Sequence, residues 1–141
     1  MDTKKIIESL AKKFEGDAEW SDNDMTAFFQ IRGSIPVVVR KGHCVDGIQW
    51  FHLDVFLGKV IDQGKVPLHT LLYKNSSGHG NAFFALQDVG GIPWIVLRDP
   101  YALSETMADK DVTDILAIRL AGSAPHFVGI IPGVEYCEGF R

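Results

Sequence analysis

His52 and Asp54 are the side chains whose types and spacing come nearest to a catalytic pair in this sequence. Two apart on an extended segment, they share one face, where a carboxylate can hold an imidazole in the tautomer that a general base needs. A hydrolase or transferase would also need a nucleophile, and none is identified beside them. A polar pair satisfied next to Trp50 is the plainer reading. With Arg98, the same two residues could instead supply the polar groups of a small-ligand pocket in a regulatory domain.

Other chemical constellations are weaker. His43 and Cys44 are adjacent, which is poor geometry for joint metal ligation, and His79, His126 and Cys137 are scattered along the chain. No metal or cofactor is expected, and both cysteines are read as free thiols because they lie far apart and outside any C-x-x-C pair. The segment Gly78-His79-Gly80-Asn81 has the glycines of a phosphate loop, but it leads from a predicted helix into a strand, the reverse of the order that places an anion on a helix N-terminus.

Composition narrows the classes further. The 141 residues are 46% hydrophobic and 23% charged with a formal net charge of −4, an ordinary globular balance. No run of Lys or Arg exceeds the pairs Lys4-Lys5 and Lys12-Lys13, so the electrostatic footprint of a nucleic-acid binder is missing. Charges interrupt the apolar residues of the N-terminal stretch every few positions. Neither a signal peptide nor a membrane span is expected, and the cytoplasm is the expected location.

The elements that would position these residues follow from periodicity. Ile6, Ile7, Leu10, Ala11 and Phe14 recur at helical spacing behind a cap at Asp2 or Thr3. Three strands are predicted next. Met25 to Arg32 runs into a two-residue turn at Gly33-Ser34; Ile35 to Arg40 follows, with Pro36 marking an edge or a strand start. After a loop over 41–47 comes Ile48 to Leu57, with Gln49, Phe51, Leu53, Val55 and Leu57 on one face and Ile48, Trp50, His52, Asp54 and Phe56 on the other. Pro67, Leu68, Leu71 and Leu72 predict a short helix ending near Asn75. Strands at Asn81 to Gln87 and Ile92 to Leu97 are joined by a tight turn at Gly90-Gly91, with Asp99-Pro100 closing the second. A last helix opens at Asp109 or Asp111, carries Val112, Ile115, Leu116, Arg119 and Leu120, and stops at Gly122.

The expected fold is therefore α+β, a single domain over 1–141 with an antiparallel sheet packed by helices. Its last strands are apolar on both faces, whereas a sheet with one wet face should alternate apolar with polar. A second subunit, a bound peptide or the C-terminal tail must cover the face that the helices leave. Phe28, Trp50, Phe56 and Trp94 are nominated as partner anchors, because aromatic side chains dominate many interfaces; Trp50 and Trp94 also fit a core role, and Trp20, among Glu19, Ser21 and Asp22, is expected at the surface. In the tail, 123–141, Phe127, Val128, Ile130 and Ile131 form an apolar cluster between helix breakers, suited to docking on a sheet edge or face of its own subunit or a partner.

The order helix, three strands, helix, two strands, helix, with Pro67-Leu68, Leu71-Leu72 and Asn75 leading into Asn81-Ala82-Phe83-Phe84-Ala85-Leu86, resembles the type III secretion chaperone-like fold. Class I secretion chaperones and the YbjN-like family of bacterial sensory transduction regulators share that fold, and the resemblance spans roughly residues 3 to 121. It implies a small cytosolic homodimer that performs no chemistry and binds a segment of another protein on an apolar surface. The chain departs from that pattern after Gly122, where Pro125, Gly129, Pro132 and Gly133 interrupt any continuing helix.

Overall fold

The alternation that begins at Ala27 becomes a strand, and the computed structural model, which describes residues 1–69, 71, 82–123 and 131–138, sets it in one seven-stranded antiparallel sheet. In chain order the elements are α1 (Thr3–Lys13), β1 (Glu19–Trp20), β2 (Thr26–Ile31), β3 (Ile35–Val45), β4 (Ile48–Val60), a 3-10 turn (Gln63–Lys65), β5 (Phe83–Val89), β6 (Ile92–Ser104), α2 (Asp109–Ser123) and β7 (Val134–Tyr136). Across the sheet the order is β1-β2-β3-β4-β6-β5, with β7 paired to the end of β4. The chain is thus mixed α+β.

Two strands run further than their sequence signals. β3 was expected to end at Arg40, yet it continues through an irregularity between Lys41 and Cys44 and turns at Asp46-Gly47, so most of the expected loop over 41–47 is strand. Asp46 and Gly47 have φ of 52° and 76°, the paired left-handed values of a type I′ hairpin, for which Asp-Gly is a favoured dipeptide. β6 runs past Asp99-Pro100 to Ser104 because β4 offers it partners as far as Ile48. β5 begins with Phe83 opposite Arg98, so among the described residues Pro100 interrupts no ladder on that side. The β2–β3 turn holds three residues, Arg32, Gly33 and Ser34, between the paired Ile31 and Ile35, one more than expected. Pro36 marks a strand start inside the sheet, not an edge.

Helix α1 begins where the Asp2 carboxylate accepts from the Lys5 N–H at 3.1 Å. Its Ile6, Ile7, Leu10 and Ala11 are buried with Val112, Leu116 and Leu120 of α2 against Phe29, Val37, Val39, Phe51, Leu53, Val55 and Leu97. Both helices lie on that near face. The predicted split of β4 holds, since Phe51, Leu53, Val55 and Leu57 all belong to this core. Two features were not foreseen in the N-terminal half: Trp20 sits in β1 with its ring packed against the core, and Lys4 lies 5.4 Å from that ring. Of the predicted second helix, residues 68, 69 and 71 are helical, and the Leu71 N–H donates to the Pro67 carbonyl at 3.0 Å; its end near Asn75 and the Gly78-His79-Gly80 turn lie outside the described residues.

Residues 131–138 fold back onto the sheet of the same chain. Ile131 is 3% exposed within the core, and β7 pairs Val134, Glu135 and Tyr136 with Val60, Lys59 and Gly58. Gly58 is required there, because a Cβ would collide with the Glu135 carbonyl and come within 2.8 Å of Val134 Cγ1. The described part of the tail extends the sheet and fills the near core. Phe127, Val128 and Ile130 lie outside the described residues.

Candidate functional site

The far face of the sheet, opposite α1 and α2, is laid out by strand register. One row across it reads Phe28, Val38, Asp54, Arg98, Phe83, and the next reads Thr26, Arg40, His52, Pro100. Beyond that row lie Trp50 and Ala102; in the opposite direction come Phe56, Val96 and Ala85, then Lys59, Trp94 and Gln87. All four nominated anchors therefore share this face. Phe56 and Trp94 touch edge to face, centroids 5.8 Å apart, and Lys59 sits 5.7 Å from the indole. Phe28 and Trp50 lie elsewhere on the face, on opposite sides of the Arg40–His52 row.

Exposure separates the anchors. Phe28, Trp50 and Trp94 are half-buried, so each presents part of a ring, whereas Phe56 is 7% exposed and acts as the support under Trp94. Phe56 and Val96 are buried without belonging to the near-face core, so the far face carries apolar packing of its own.

At the centre of this face stand the residues first singled out for chemistry. Asp54 is 4% exposed, with Arg40 Nη2 at 3.8 Å and Arg98 Nε at 3.9 Å from one carboxylate oxygen. Both separations exceed hydrogen-bond length, so two guanidinium groups share one carboxylate loosely. Burial pushes the Asp54 carboxyl above its ordinary pKa, against the pull of Arg98, Arg40 and His52. Burial also lowers the His52 pKa, reinforced by Arg40 and opposed by Asp54. Among the described residues no hydrogen bond joins His52 to Asp54. The link by which a carboxylate would orient a general base is not made, although His52, Asp54 and Arg98 do converge as a small-ligand reading requires.

Arg40 completes this cluster and was missed, since its place opposite His52 depends on β3–β4 register. Arg98 Nη2 donates to Gln87 Oε1, while its Nε is buried with no hydrogen-bond partner. The cysteines are free and unrelated: the exposed Cys44 thiol donates to Glu105 at 3.1 Å, and its pKa is raised chiefly by that hydrogen bond; Cys137 is half-buried, and burial raises its thiol pKa. Among the described residues no three His, Cys, Asp or Glu side chains gather to hold a metal, and no helix is long and apolar enough to cross a membrane. His79 and His126 lie outside the described residues.

Comparison with known proteins adds no assignment: no family model matches the chain, and neither the curated proteins nor the solved structures yield a match.

Proposed function

We propose that this chain is a non-enzymatic, cytoplasmic protein-binding module that holds an extended partner segment on the far face of its sheet. The observation that carries the reading is the set of partly exposed rings at Phe28, Trp50 and Trp94 on a face where an antiparallel sheet meeting only water should be polar. Rings spaced across several strands suit a segment several residues long better than a compact ligand. The order of the described elements, apart from the added β1 and β7 and with the predicted second helix described only at residues 68, 69 and 71, is in keeping with the chaperone-like fold shared by class I secretion chaperones and YbjN-like regulators. That resemblance, with the long β5 edge that no described strand covers, also supports a homodimer.

Selection from a displayed library of random linear peptides is the test. Enriched peptides should alternate apolar side chains and lose at least tenfold in affinity for a Trp50→Ala/Trp94→Ala variant that melts as the parent does. A selection that enriches nothing, or peptides indifferent to both substitutions, removes the reading. Sedimentation equilibrium at micromolar concentration tests the dimer, and a strictly monomeric species refutes it.

The convergence of His52, Asp54 and Arg98 with Arg40 favours one second reading, a small-ligand regulatory domain. A compound retained through purification and seen by native mass spectrometry, then lost in Arg98→Gln, would favour it over the first.

A further inference from the structure

From the irregularity in β3 between Lys41 and Cys44 opens a groove lined by Met25, Thr26, Arg40, Lys41, His43 and His52. Its floor is the Gly42 backbone, where an added Cβ would stand 2.7 Å from Trp50 Cβ and 2.9 Å from His52 Nε2; the Lys41 N–H donates to the Met25 carbonyl at 3.1 Å and fixes one wall. No carboxylate lines it. Of the acidic groups nearby, Asp24 pairs with Lys4 at 3.5 Å and Glu105 accepts from the Cys44 thiol, while Asp54 stands 3.8 Å from the groove's own Arg40 and is shared with Arg98. Lys41 makes no ion pair among the described residues. In a chain of net charge −4, this is a local concentration of cations and imidazoles.

We infer that this groove is a carboxylate site, and that it receives an acidic side chain of the partner segment bound on the far face. The inference rests on the protein-binding reading and names the chemistry of the partner. The groove contains the Arg40–His52 row, which lies between Phe28 and Trp50, so the acidic residue enters with apolar neighbours on either side. Asp54 is one carboxylate for two guanidinium groups, so Arg40 is only partly compensated and leaves the groove a net positive charge that a carboxylate can balance. Arg40 presents a planar donor pair on the far face and His52 Nε2 lies beside the Gly42 backbone, while Lys41, opposite Phe51 in the β3–β4 register, borders the groove from the other face of β3. The His52 pKa is lowered first by burial, with Arg40 and His43 adding to the shift and Asp54 opposing it.

The experiment follows the ring resonances of His43 and His52 by NMR during titration with a capped single glutamate residue. The capped glutamate should shift both rings saturably and raise the His52 pKa, the capped glutamine should do neither, and Lys41→Gln and Arg40→Gln should each weaken binding by about threefold to tenfold. Lys41 is exposed, so its substitution reads the site without disturbing the fold. Equal shifts with capped glutamine, no saturable response, or saturation by inorganic phosphate but not by capped glutamate would each overturn the assignment. The probe needs no partner protein. Binding of capped glutamate upholds the site even where the peptide selection fails; selected peptides that lack acidic residues, together with unmoved rings, remove the site and leave the binding face.

Discussion

Asp99 and Asp54 are equally deep in the same sheet, 3% and 4% exposed, and they are held in opposite ways. On the near face, Asp99 receives two hydrogen bonds from Arg119 of α2, at 2.9 Å and 2.7 Å, and the guanidinium lies 4.7 Å from the Tyr101 ring. On the far face, Asp54 stands 3.8 Å and 3.9 Å from two guanidinium groups and forms a hydrogen bond with neither. A bidentate pair fixes both partners and ties α2 to β6, whereas a shared carboxylate leaves its cations able to turn toward something else. Burial alone therefore does not tell a structural carboxylate from an adaptable one. The number and length of the bonds do.

The comparison is broken most forcefully at Arg119. Replacing it with Ala leaves Asp99 buried without its bidentate partner, and the expected loss is about 3 kcal/mol, at the lower end for a broken buried pair because a third of the Arg119 side chain meets solvent. Urea denaturation measures it, and a loss below about 1 kcal/mol would put Asp99 in the same class as Asp54. Next in size is Gly58→Ala, which drives a methyl group into the Glu135 carbonyl and Val134, and is expected to cost about 2 kcal/mol through strain or loss of β7. Faster hydrogen exchange at the Cys137 amide, which donates to the Leu57 carbonyl at 3.1 Å, would show that β7 had been the part to yield.

Much of the near face was legible in the sequence because burial on one side of a strand or helix leaves a period. Ile6, Ile7, Leu10 and Ala11 and the alternation from Phe51 to Leu57 specify where they face without reference to any partner strand. The far-face cluster was half legible. His52 and Asp54 share a face by spacing alone, but the entry of Arg40 needs the register of β3 on β4, which depends on the Asp46-Gly47 turn that was read as part of a loop. β1 and β7 left almost no signal, since two- and three-residue strands are too short for alternation to register and exist only because β2 and the end of β4 offer them partners. Pro100 misled for a related reason: a proline ends a strand only where both sides of that strand are paired.

A gentler change sharpens the contrast. Asp54→Asn removes a carboxylate whose charge burial already disfavours, and it leaves Arg40 and Arg98 with 47% and 32% of their side chains in solvent. The expected change in stability is within about 1 kcal/mol, well below that of Arg119→Ala. The substitution also leaves Arg40 uncompensated beside the groove, so the capped glutamate should bind more tightly to Asp54→Asn than to the parent. Weaker binding would mean that Asp54 positions Arg40, and that the loose triad is as structural as the near-face pair.

The smallest expected effect lies in the pH profile, where the two far-face groups pull in opposite directions. His52 has its pKa lowered from 6.5, so the unfolded chain holds a proton that the folded chain gives up; stability from this group is present above that value and is lost as pH falls through it toward the folded pKa. Asp54 has its pKa raised from 3.8, so its contribution is present below that value and is lost as pH rises through the folded pKa. Acidification from about pH 7.5 to about pH 5 should therefore lower the melting temperature of the parent more than that of His52→Gln, by an amount worth less than about 1 kcal/mol because solvent reaches the ring. In Asp54→Asn the same acid slope should be steeper, since the opposing carboxylate is gone and the neutral ring faces Arg40 alone. Parallel profiles for the parent and His52→Gln would mean that the imidazole titrates as it does in the unfolded chain. The far-face cluster would then lack the electrostatic tension that sets it apart from the Asp99–Arg119 pair.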